Sequence, residues 1–154
     1  MSARAEAPKI LAEDEENLRT QHWAVVTRHA VPSHLVVLER FHAHQFGAWA
    51  GWFPQLVPPV PRLTTPPHPR ALGCYAYVAG DGLKGEIRLR PSLLDGSHPL
   101  LREGDEFLEG RIRFLEDVLL HESVHAFNRE VTRDDEPSYK GHGPAFAAKC
   151  NEIG

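Results

Sequence analysis

The chain has 154 residues, 42% of them hydrophobic and 25% charged, with a net charge of −4. That length fits one domain with a real hydrophobic core, and the slightly acidic balance excludes a dominant nucleic-acid-binding surface, which needs clustered Lys and Arg. The two cysteines, Cys74 and Cys150, are too few for a disulfide framework or a cysteine-only zinc site and read as reduced thiols.

In chain order, residues 1–16 are rich in Ala and Glu, contain Pro8, and are expected to be a flexible segment ahead of a single domain over 17–154. The opening stretch has no apolar core like that of a secretory signal, and no apolar run reaches bilayer-spanning length. The expectation is a cytoplasmic protein without a membrane partner. Residues 17–29 are compatible with a helix. Pro32 is a stop and Ser33 a candidate N-cap. Leu35, Leu38, Phe41, Phe46 and Trp49 then predict an amphipathic helix from His34 to about Trp52, closed by Gly51 and Pro54.

Residues 54–70 hold seven prolines, which forbids a helix and confines any strand near Val60–Leu63 to a sheet edge. Leu72–Val78 is β-like, Ala79–Gly82 is a turn signal, and Glu86–Arg90 alternates as a strand with one wet face would. The two strands predict a hairpin, with 57–63 as a third strand. The arginines at 88, 90, 102, 111 and 113 are interleaved with acidic residues and read as a mixed, solvated surface. A long helix is predicted from Gly104 to about Glu130, with Asp105 and Glu106 at its positive end and apolar residues on two faces, which makes it central to the domain. Residues 132–141 form a polar loop, and Gly143-Pro144 opens a last helix with proline at its permitted first turn.

The long helix carries His121-Glu122-Ser123-Val124-His125. Histidines at i and i+4 share one face, so both imidazoles can reach one ion, and zinc suits such ligands. Glu122 stands beside the first ligand, placed to take a proton from an attacking water and pass it to a leaving amine. A third ligand must follow. Glu130, Asp134, Asp135, Glu136 and His142 are the candidates, with His142 preferred and Glu136 next. His142 lies between two glycines and directly precedes a helix, so the backbone can turn sharply there and then hold it. The remaining histidines (22, 29, 34, 42, 44, 68 and 98) read as surface or satisfied side chains. Tyr139, three residues before His142, is a candidate donor to a reaction oxyanion, and the 86–90 strand is a candidate edge for pairing an extended substrate.

HESVHA, a loop, and then YKGHGPAFAAKCNEIG resemble the SprT-like zinc metalloprotease family, to which Spartan belongs, across about residues 34–154. The matching positions are His121, Glu122, His125, His142, Pro144 and Phe146, and the upstream LGCYAYVAGDGLKGEIRLRPSLL is similar to the strand pair of that family. The resemblance implies an α+β, zincin-like domain, in which a short antiparallel sheet packs on the central HExxH helix with N- and C-terminal helices around it. It implies one catalytic Zn2+ held by His121, His125 and His142, with Glu122 as general base and a protein or peptide as substrate. Several members cleave proteins crosslinked to DNA. These 154 residues hold neither the four-ligand zinc ribbon nor the basic DNA-binding segment of longer members, so DNA is expected only through the substrate. Ser123 stands where many members have a larger apolar residue, which would loosen packing beneath the site. Two alternatives to a general peptidase are a zinc-stabilised binding module without turnover and a regulatory protease dedicated to one protein partner.

Overall fold

A computed structural model describes residues 12–28, 30–77, 83, 85–101 and 107–154. Among them are five α-helices and a three-stranded mixed sheet: α1 (Ala12–Arg28), α2 (Leu35–Gln45), β1 (Val60–Leu63), β2 (Gly73–Tyr77), β3 (Gly85–Leu89), α3 (Pro91–Asp95), α4 (Leu108–Glu130) and α5 (Pro144–Ile153). The fold is α+β.

Helix α1 begins earlier than its apolar pattern suggests. Asp14, Glu15 and Glu16 lie in its first turns, where negative charge meets the positive end of the helix dipole. The part of the expected flexible segment from Ala12 to Glu16 is helical instead, and residues 1–11 lie outside the described residues. Leu18, His22, Val25 and Val26 face inward at helical spacing. Ser33 is not the cap of α2. It sits inside a short 3-10 turn over Pro32–His34, and His34 takes the cap position without a side-chain bond.

Helix α2 stops at Gln45, short of the expected Trp52. Gly47 explains this, because a Cβ there would stand 2.6 Å from the Ala43 carbonyl oxygen. The chain tightens at this point, with the amides of Gly47 and Trp49 both donating to the His44 carbonyl, and a second 3-10 turn covers Ala50–Trp52.

The sheet order is β1-β3-β2, with β2 antiparallel and β1 parallel to β3. The expected hairpin is present, but the sheet is not purely antiparallel. Residues 64–72 carry the chain across two strand spacings, about 10 Å, before β2 begins, which leaves a slot that β3 fills on its return. Strand β3 is therefore central, and it is buried at four of its five positions. It has neither the wet face nor the free edge expected of 86–90. Its one charged, buried side chain, Glu86, is held between Arg62 (3.0 Å) and Arg88 (2.9 Å), as a buried carboxylate must be.

Helix α4 packs on β2 and β3, with α3 and α5 against it, while α1 and α2 cover β1. Leu115 and Leu119 of α4, Ile87 and Leu89 of β3, Leu93 of α3 and Phe41 of α2 are fully buried together. The predicted first turn of this long helix, including Asp105 and Glu106, lies outside the described residues. Among the described residues, no helix is long and apolar enough to cross a membrane.

Candidate metal centre

Helix α4 is pinned by its buried face, so the stripe one turn round from that face is fixed in space. His121 and His125 lie on this stripe, with ring centroids 5.0 Å apart. The chain leaves α4 at Val131 and returns through a 3-10 turn over Pro137–Tyr139, flanked by Glu136 (φ 51°) and Lys140 (φ 52°) in the left-handed region. Left-handed backbone costs a non-glycine residue roughly 1–2 kcal/mol. The turn is held by local bonds: the amides of Tyr139 and Gly141 donate to the Glu136 carbonyl, and that of His142 to the Tyr139 carbonyl, each at 3.0 Å. Gly141 (φ 81°) lies so close to His125 that a Cβ there would stand 3.0 Å from its Cε1, so this position requires glycine twice over.

The result brings the three histidines together. His142 Nε2 is 3.2 Å from His125 Nε2 and 3.4 Å from His121 Nε2, and the three ligand atoms all lie within 4.8 Å of one another. Two imidazole nitrogens bound to one tetrahedral zinc at ~2.0–2.1 Å stand about 3.3 Å apart, so the spacing and chemistry of this donor set fit a zinc ion. Burial pushes the His121 and His125 imidazolium pKa values down, with the neighbouring histidines adding to the effect; His125 falls to about 4. Neutral imidazoles keep the lone pair that a metal takes.

Phe146 organises the cluster. Its ring contacts all three imidazoles at centroid distances of 4.7–4.9 Å and stacks on His125. Glu136, the second candidate for third ligand, has another task. It is buried, and its carboxylate accepts the amides of Ala145 (3.0 Å) and Phe146 (2.9 Å). It thus satisfies two orphan donors at the start of α5 and places negative charge at the helix's positive end. Gly143 leaves room for this: a Cβ there would stand 2.3 Å from Glu136 Oε2 and 2.6 Å from Tyr139 Cδ2. Ser123 does not loosen the packing beneath the site, because it is buried with its hydroxyl donating to the Leu119 carbonyl at 2.7 Å.

Glu122 is half-buried and lines two cavities. One is walled by Gly73, Cys74 and Tyr75 of β2 together with His125, Arg129 and Gly141. The other lies between Leu72, Gly73 and the Phe114–Val118 turn of α4. Burial raises the Glu122 carboxyl pKa to about 7, against the backbone amide of Tyr75, which pulls it down. The edge of the sheet beside Glu122 is therefore β2, where the sequence suggested 86–90.

Tyr139 is 59% exposed and is in the wall of neither cavity. The phenol that does line the cleft is Tyr75, whose hydroxyl donates to Glu130 Oε2 at 2.5 Å. Burial and this bond both hold its proton on, raising its pKa well above the usual value. Nothing in the sequence marked Tyr75, Glu136 or Phe146 for these roles, apart from the match of Phe146 to the family pattern.

Compared with protein-family models, with curated proteins and with solved structures, the chain matches none of them.

Proposed function

We propose that this protein is a zinc-dependent metallopeptidase of zincin type, related to the SprT-like proteases. The observation that carries the proposal is the convergence of three Nε2 atoms, two pairs of them at 3.2 and 3.4 Å, one residue from a half-buried glutamate that lines the adjoining cleft. The resemblance of HESVHA and GHGPAF to that family supports it. His121, His125 and His142 would hold the ion, and three protein ligands leave a position open, as catalytic zinc sites do. Zinc there supplies Lewis acidity, making water acidic enough to ionise near neutral pH and polarising a carbonyl.

The rest is done by this chain's own residues. Glu122 accepts a proton from the attacking water at its carboxylate and delivers it to the amide nitrogen as the C–N bond breaks, so that a carboxylate and an amine leave. The raised carboxyl pKa suits a group that must both take and return a proton. Strand β2 has one strand neighbour among the described residues, so an extended peptide can pair along its other side and lie across Glu122. The acidic chain gives no reason to expect direct DNA binding, and a DNA-associated protein remains a substrate only by resemblance.

The test is hydrolysis of an unstructured protein such as casein by the zinc-loaded chain, with and without single-stranded DNA, beside Glu122→Gln. Cleavage that Glu122→Gln abolishes supports the reading. Cleavage undiminished in Glu122→Gln contradicts Glu122 as the base, and a zinc-loaded wild type that cleaves nothing contradicts the peptidase and leaves a zinc-stabilised binding module.

A further inference from the structure

The cavity between β2 and α4 occupies about 360 Å3, near the lower end of the ~300–1,000 Å3 typical of small-molecule sites. Phe114, Val118, His121 and Glu122 stand on successive turns of α4, so the cavity runs along one stripe of the helix straight to the first histidine and the base. Its walls are Leu72, Gly73, Phe114 and Val118, while its outer rim carries the exposed Asp117. Gly73 lets β2 lie directly on α4 at the floor of the cavity, because a Cβ there would stand 2.8 Å from Val118 Cγ1. Leu72, Phe114 and Val118 are each left partly buried around a space that shares Gly73 and Glu122 with the cleft beside His125. It is a mainly apolar chamber that adjoins the proposed reaction site at Glu122 and has room for a large apolar side chain.

We infer that this chamber is a specificity subsite that takes a large apolar side chain, of leucine or phenylalanine type, from the residue next to the bond being cut. The inference rests on the peptidase reading and adds the substrate class to it. A peptide laid along β2 alternates its side chains, so one of them turns toward α4 beside Gly73, where Leu72, Phe114 and Val118 line the cavity. Asp117 does not redirect the choice toward lysine, because its carboxylate is at the solvated rim, where an ion pair gains little.

The experiment titrates zinc-loaded protein with hydroxamates of one scaffold whose side chain is methyl, isobutyl, benzyl or aminobutyl, measuring affinity by calorimetry. On the wild type, isobutyl and benzyl are expected to bind roughly ten- to a hundredfold tighter than methyl. Val118→Phe, which fills the chamber, should erase that gain, bringing isobutyl and benzyl to the affinity of the methyl compound. Val118→Ala, which cannot overfill the site, should move the preference toward benzyl and covers the case in which the phenylalanine variant fails to fold. Equal affinity for all side chains, a preference for aminobutyl, or an isobutyl gain untouched by both variants would overturn the subsite. Loss of binding by every compound, methyl included, would instead overturn the metal-centre reading beneath it.

Discussion

Glu136→Ala isolates the part of the site that holds the third histidine without touching a ligand. The carboxylate makes two short bonds to backbone amides of α5, at 2.9 and 3.0 Å, from a buried position. Loss of an N-cap side chain costs about 0.5–2 kcal/mol, and hydrogen bonds to a charged group contribute about 1.5–3 kcal/mol. These overlap, because they describe the same contacts, so about 2–3 kcal/mol is expected. In a chain of this size that lowers Tm by about 5–10 °C, readable by circular dichroism on zinc-free protein. The bonded amides belong to Ala145 and Phe146, and Phe146 touches all three imidazoles, so zinc affinity should fall as well, by about 10–100-fold, as when outer-sphere supports of metal ligands are removed. Competition with a chromogenic chelator measures it. Glu136→Gln keeps the size and one acceptor oxygen but turns an NH2 toward the second amide, so it should fall between alanine and wild type in both assays. A lowered Tm with unchanged zinc affinity would refute the reasoning, reducing Glu136 to a helix cap with no hold on His142.

Three further outcomes follow from the geometry. Glu122→Gln should retain zinc at wild-type stoichiometry by elemental analysis and lose hydrolysis by at least ~100-fold, the scale of general-base catalysis. Gly143→Ala should destabilise the fold and weaken zinc together, since its Cβ would meet both Glu136 Oε2 and Tyr139 Cδ2 at under 3 Å; a variant matching wild type in melting and chelator competition would contradict the packing. His22 should make stability fall in acid. It is fully buried, its Nε2–H donates to the Pro59 carbonyl at 3.1 Å, and burial lowers its pKa from 6.5 to about 4. Because the folded pKa is depressed, its contribution is complete above pH 6.5, is lost as pH falls toward 4, and levels off below, a change of about 3 kcal/mol. Urea melts of wild type and His22→Gln across that window should differ in slope, and equal slopes would refute it.

The clustering of the three histidines was legible in the sequence because its logic is local. A four-residue spacing on a strongly periodic helix puts His121 and His125 on one face, and the glycines around His142 let the loop fold back on His125. What joins those pieces was not legible. Glu136 reaches forward nine residues to cap α5, and it does so only through left-handed backbone at Glu136 and Lys140, which no pattern of residue types announces. The sheet order depended on where a proline-rich link deposited β2, a non-local outcome, so 86–90 read as an edge when it is the centre. His22 and His42 each bond a backbone carbonyl through Nε2, of Pro59 and Arg19, as satisfied side chains would, but His22 Nδ1 is buried without a partner, so it is only half satisfied. The end of α2 was missed because Gly47 acts through contact with Ala43, whereas Gly51 and Pro54 were the more visible breakers.

The most direct measurement is metal content per chain, on chelator-free wild type and on His142→Ala, after loading with zinc and exhaustive dialysis. One zinc per wild-type chain, lost or much weakened in the variant, is the predicted result. No zinc on the wild type, or equal zinc on both proteins, would contradict a three-histidine centre and, with it, the peptidase.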